Sequence, residues 1–112
     1  MVVTLARIDA ARIHDWESFH EEFNRVFGFP SFYGRNMDAW IDCMTSLDCP
    51  EDDMTSIHAS PGGVIGLEVD NASQLKRDHR DLYDALIECA AFVNWRRIEK
   101  GLPPVLALSF DV

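Results

Sequence analysis

Positive charge is the scarcest property of this chain. Ten Lys and Arg stand against nineteen Asp and Glu, for a formal net charge of −9. Nucleic-acid phosphates are held by clustered Lys and Arg, so this balance excludes nucleic acid as a direct ligand. It favours a basic partner met by fast, salt-sensitive encounter. Long apolar runs are also missing, which excludes a transmembrane helix and membrane insertion. The opening Met1-Val2-Val3-Thr4-Leu5-Ala6-Arg7 has neither the basic start nor the long apolar stretch of a secretory signal. The expected compartment is therefore the cytoplasm. Cysteine is sparse: Cys43, Cys49 and Cys89 are odd in number and have no zinc-like spacing, so they read as reduced thiols, with Cys43 and Cys89 filling core. His14, His20, His58 and His79 are scattered and none sits at ligand spacing from another His or Cys. A Gly-rich phosphate loop, a nucleophile elbow and a triad are all absent. Neither catalysis nor a metal or cofactor is expected.

What is present suits one domain over residues 1–112. The chain is 47% apolar, enough for a real core at this length despite its charge. Val2 to Ile8 reads as a first strand. Asp15 is placed to cap a helix over 16–27, in which Trp16, Phe19, Phe23, Val26 and Phe27 form an apolar stripe. Glu17, Glu21, Glu22, Asn24 and Arg25 lie mostly off that stripe. Gly28 ends the helix and Pro30 prevents its continuation. Asn36 is placed to cap a second helix over 37–47. Residues 48–63 read as a loop, long enough to suggest function or mobility, with Glu51, Asp52 and Asp53 solvated. Val64 to Val69 is a second strand. A long helical region over 73–99 shows a break near Arg80 and ends at Gly101, with Arg96 and Arg97 complementing its dipole. The apolar run Val105 to Phe110 reads as a last strand buried on both faces of a parallel sheet. The order β-α-α-β-α-β gives an α/β fold with a small, mostly parallel sheet.

The most informative segment is Phe32-Tyr33-Gly34-Arg35-Asn36-Met37-Asp38-Ala39-Trp40-Ile41-Asp42-Cys43. Asp38 and Asp42 are four residues apart, which on a helix puts both on one face, roughly one turn apart. Asp38 falls in the first turn, where the dipole stabilises negative charge. Residues 36 to 67 hold six acids and no Lys or Arg. An acidic helix face introduced by an aromatic–glycine turn suits docking on a cationic surface and does not suit anionic substrates. Phe32 is expected to be exposed and Tyr33 packed. Two Asp on one exposed face form no catalytic cleft, and no third or fourth ligand accompanies them for a hard cation.

The stretch from Phe29 to Thr45 resembles the signature of the barstar family. The resemblance is carried by Pro30, Gly34, Asn36, Asp38-Ala39, Asp42-Cys43 and Thr45 at their spacing. It implies a three-stranded parallel sheet packed against helices, and an intracellular inhibitor that plugs a ribonuclease active site one-to-one, monomeric when free. By resemblance, Asp42 enters the enzyme's phosphate site and Asp38 pairs with a basic group at the rim. Phe32 takes the position that stacks on the catalytic His, while Gly34 and Asn36 make close contacts from the loop. Thr45 completes the matching segment. The chain departs from the pattern at Phe32, where the family has Tyr, and at Arg35, where it often has an acid. Ile41 and Leu47 replace family aromatics. Alignment on Gly101 puts Arg96 near an acidic contact of the family's last helix, and the 48–63 segment is longer than usual. The toxin domain of a larger secreted protein fits these departures as well as a free ribonuclease does. The alternative reading is a non-inhibitory module that binds a basic host protein through the same acidic face.

Overall fold

A computed structural model describes all 112 residues. Three parallel strands, β1 (Val3–Asp9), β2 (Val64–Asp70) and β3 (Leu106–Phe110), form one sheet in the order β1-β2-β3. Between β1 and β2 run α1 (Trp16–Phe27) and α2 (Met37–Thr45); between β2 and β3 run α3 (Ala72–Asp78) and α4 (Arg80–Glu99). Parallel neighbours require such crossovers, because a tight turn cannot return the chain to the same end of the sheet.

Sheet order corrects one expectation. The last strand is not buried on both faces. β2 holds the centre, with Ile65, Gly66, Leu67 and Val69 buried, whereas β3 is an edge on which Ala107, Ser109 and Phe110 are exposed. Burial along β1 shows that one face of the sheet is largely open: Ala6 and Ile8 point into the core while Val3, Leu5 and Arg7 point out. Gly66 sits on this open face, opposite Leu5. A Cβ there would come within 3.0 Å of Val3 Cγ1 and 3.1 Å of Leu5 Cδ2, so the two side chains fold over the space that glycine leaves.

Caps set the helix ends. Asp15 Oδ1 accepts the Ser18 N–H at 2.7 Å and Ser18 Oγ accepts the Asp15 N–H at 3.1 Å, a reciprocal capping box. Asn36 Oδ1 accepts the Ala39 N–H at 2.8 Å to start α2. α2 is two residues shorter than expected, because the chain tightens at Ser46; Leu47 still reaches the core from that turn. The break in the long helical region falls at His79. α4 ends in a Schellman motif, with the Leu102 N–H on the Arg97 carbonyl, the Gly101 N–H on the Ile98 carbonyl, and Gly101 at φ 77°.

Core packing joins α1 and α2 to the sheet. Phe19, Phe23 and Phe27 are fully buried, and Phe23 meets Trp40 of α2 edge-on at 5.6 Å. The Trp40 indole N–H has no acceptor within the chain, a desolvation cost of about 1–3 kcal/mol set against burial of the ring. Glu22 does not lie away from the core as its helical position suggested. It is buried, accepts the Asp9 N–H at 2.8 Å and is paired with Arg25 at 2.6 Å. That single carboxylate ties α1 to the end of β1.

The 48–63 segment contains one short 3-10 turn, Pro50–Asp52, and Glu51, Asp52 and Asp53 are exposed as expected. The segment is tethered beyond them: the Ser56 N–H donates to the Phe27 carbonyl at 2.7 Å and the Ala59 N–H to the Leu47 carbonyl at 2.9 Å. No helix is long and apolar enough to cross a membrane. A grouping invisible in the sequence brings carboxylate oxygens of Glu68, Asp70 and Asp111 within 4.8 Å of one another, and Glu68 is already paired with Arg7 at 3.2 Å.

Candidate functional site

The site is built on the loop after α1 and on the first turns of α2. Gly28 turns the chain out of α1 at φ 65°. The Phe29 N–H then donates to Asn24 Oδ1 at 3.0 Å, and the Tyr33 N–H closes a turn on the Pro30 carbonyl at 2.9 Å. Tyr33 is half-buried, packed against Phe29 at a 40° tilt with ring centres 4.4 Å apart, and hydrogen-bonded to His20 Nδ1 at 2.5 Å. Phe32 has no such support and is 75% exposed. The loop thus packs one aromatic and presents the other, as the sequence suggested.

Arg35 lies at φ 52°, a left-handed conformation that costs a non-glycine residue about 1–2 kcal/mol. It immediately precedes the cap of α2. Asn36 spends its side chain on structure: its oxygen caps Ala39 and its Nδ2 donates to the Gly34 carbonyl at 3.3 Å. Gly34 has little room for a side chain, since a Cβ would stand 3.1 Å from that Nδ2.

Asp38 and Asp42 are both exposed on α2, as their spacing required. Asp38 makes no ion pair within the chain. Asp42 does: Arg96 Nη1 of α4 donates to its Oδ1 at 2.9 Å, with the two side chains 35% and 57% exposed, Arg96 first. Arg96 is therefore an ion-pair partner of the site and not merely a complement to the helix dipole. Behind Asp42, burial and then the Asp42 charge push the Cys43 thiol up to about 11, so it stays neutral. Cys43 is core filler as expected, while Cys89 is only partly buried. Thr45 turns its hydroxyl onto the Ile41 carbonyl at 2.6 Å.

Arg97 is further from its expected role. It is 2% exposed, and its guanidinium donates to both oxygens of Asp48 at 2.9 and 2.8 Å, to the Thr45 carbonyl at 2.9 Å and to the Pro103 carbonyl at 2.9 Å. One buried fork thereby fixes the end of α2 against α4 and the approach to β3. Hydrogen bonds from Arg97 hold the Asp48 carboxyl below the usual carboxylate range.

Two hollows flank Asp42. One, of about 270 Å³, is lined by Phe32, Tyr33, Gly34, Ala39, Cys43 and Met54. The other, of about 540 Å³, is lined by Thr45, Asp52, Met54, Arg96 and Lys100. Asp42 borders both, and Phe32 and Gly34 share the first with it. Asp38 and Asn36 border neither. Met54 was missed by the sequence reading, and Asp52 was read only as a solvated loop acid, because nothing in a loop sequence says which helix it lies against. A family model described as Barstar (barnase inhibitor) matches residues 3–107. The chain belongs to the barstar family. The sheet and helices are the barstar-like α/β fold, and barstar family membership implies an inhibitor of a ribonuclease such as barnase, not an enzyme. A search of curated proteins gives no match.

The His20–Tyr33 contact ties the barstar loop to pH. Burial, and then the Arg35 charge, lower the His20 pKa below its ordinary value of 6.5. The unfolded chain then binds more protons than the folded one between the two pKa values, so stability is full above about pH 6.5 and falls as pH drops through that value. The Asp48 contribution has a separate window: it is present above the ordinary carboxylate range and disappears as pH falls through the lowered Asp48 pKa. Urea midpoints are expected to hold steady from about pH 8 to 6.5 and to decline from there to about pH 5, and His20→Gln, which keeps a hydrogen-bonding group for Tyr33, is expected to flatten that decline. An unchanged slope in the variant would assign the decline elsewhere.

Proposed function

We propose that this chain is a cytoplasmic immunity protein that inhibits a basic ribonuclease or nuclease toxin one-to-one by occupying its active site. Asp42 enters the phosphate-binding pocket, Asp38 pairs at its rim, and Phe32 packs on the enzyme surface beside them. Gly34 and Asn36 give a close approach and a fixed helix start, and Thr45 borders the anchor. The supporting observation is the exposed Asp42 carboxylate on a helix clamped at both ends, by the Asn36 cap and by Arg97. A carboxylate on a rigid helix stands in for a phosphate and loses little freedom on binding, so preformed donors in the enzyme meet a preformed acceptor.

Calorimetric titration into barnase, with RNA cleavage followed in parallel, tests this. Saturation at one equivalent together with loss of cleavage is the expected result. Binding that leaves cleavage intact would support a second reading, to which the Arg96 hold on Asp42 lends weight: a non-inhibitory module docking on a basic host protein.

A further inference from the structure

The charge around Asp42 is not what the chain's overall −9 suggests. The larger hollow beside it is walled by Asp42 and Asp52 on one side of the balance and by Arg96 and Lys100 on the other. These four charges cancel. Arg96 occupies one oxygen of the anchor, Oδ1, and leaves Oδ2 for a partner. We infer that Arg96 is the specificity-determining residue of this face, and that the cognate nuclease carries a carboxylate beside the cationic pocket that receives Asp42, placed to take over Arg96. The inference rests on the reading of Asp42 as the anchor.

Both members of the pair are substantially exposed, so breaking it costs no more than about fivefold in affinity. The larger effect is where Arg96 goes next. Because it lies 2.9 Å from the anchor, any pocket that takes Asp42 also takes the guanidinium to its edge. Against an edge that is only basic, like charges meet as water is excluded, an arrangement that suppresses binding by roughly a hundredfold or more. Against an edge carrying a carboxylate, Arg96 exchanges one acid for another and can grip it with two parallel N–H donors. The same residue thus rejects one class of cationic site and selects another, which is how specificity arises from a repulsive element.

A charge-swap titration tests this. The probes are barnase and a set of its variants, each with one Lys or Arg around the active-site rim replaced by Glu. The inhibitors are the wild-type chain, Arg96→Glu, Arg96→Gln and Asp42→Ala. One rim replacement is expected to tighten the wild type at least tenfold and to weaken Arg96→Glu by a similar factor, with Arg96→Gln between them and Asp42→Ala weak throughout. Arg96→Gln keeps the comparison usable should charge reversal disturb folding. If the wild type, Arg96→Gln and Arg96→Glu rank the probes identically while Asp42→Ala loses affinity, the anchor stands and the role of Arg96 is overturned. If Asp42→Ala binds as well as the wild type, or no inhibitor binds any probe, the anchor reading fails and this inference fails with it.

Discussion

Asp42→Ala is expected to weaken ribonuclease inhibition by about 30- to 5,000-fold, while Glu51→Ala stays within about threefold. The first range corresponds to about 2–5 kcal/mol for stripping one partner from a buried hydrogen-bonded charge pair, a range that comes in part from this family's own inhibitor–ribonuclease complex. Much of the loss is the enzyme's cationic pocket left without its anion. Both residues are exposed in the free chain, so neither variant should be much less stable, and affinity can be read without a folding correction. Glu51 carries the same charge on an exposed turn that borders neither hollow, so it controls for long-range attraction. Raising the salt from about 0.1 to 1 M shortens screening from about 10 to 3 Å and should remove whatever Glu51 contributes first. Equal effects of the two substitutions in an inhibition titration would dissolve the site assignment.

Arg97→Ala is expected to remove about 3–5 kcal/mol of stability, the cost of breaking a buried ion pair from one side. That is a large share of the about 5–15 kcal/mol that holds a domain folded. The substitution strands Asp48 and leaves the Thr45 and Pro103 carbonyls without their donor. Arg97→Lys should not rescue it, because one ammonium cannot reproduce a planar fork that reaches four acceptor oxygens on three residues at once. Asp48→Asn is expected to cost less, since its amide oxygen still accepts from the guanidinium. Urea unfolding followed by circular dichroism measures all three. A midpoint for Arg97→Ala close to wild type would mean that the clamp is dispensable and that α2 is held by its apolar face alone.

The two arginines mark where sequence reading stops. Local chemistry was legible: Asp15 and Asn36 cap helices because a short polar side chain before an apolar period has one good use, and Gly28 and Gly101 end them because both sit at positive φ. The Asp38–Asp42 face was legible for the same reason, being a property of spacing along one helix. Arg96 and Arg97 meet residues 54 and 49 positions away, and no local period encodes such a meeting. Adjacent residues on a helix point in different directions, so identical side chains end with one at the surface and the other sealed inside. Glu22 was misjudged because its helical phase is polar while the Asp9 N–H that it satisfies belongs to another element. β3 was misjudged because an apolar run reads the same at the centre of a sheet as at its edge; only the pairing β1-β2-β3 decides.

If Arg96 recognises the partner as inferred, its place directly beside the structural Arg97 separates the two roles along one helix. A substitution at residue 96 would then alter which surface the chain accepts without disturbing the buried fork that Arg97 makes with Asp48, Thr45 and Pro103. On that reading, a change of partner and the integrity of the fold are controlled by neighbouring but separate side chains.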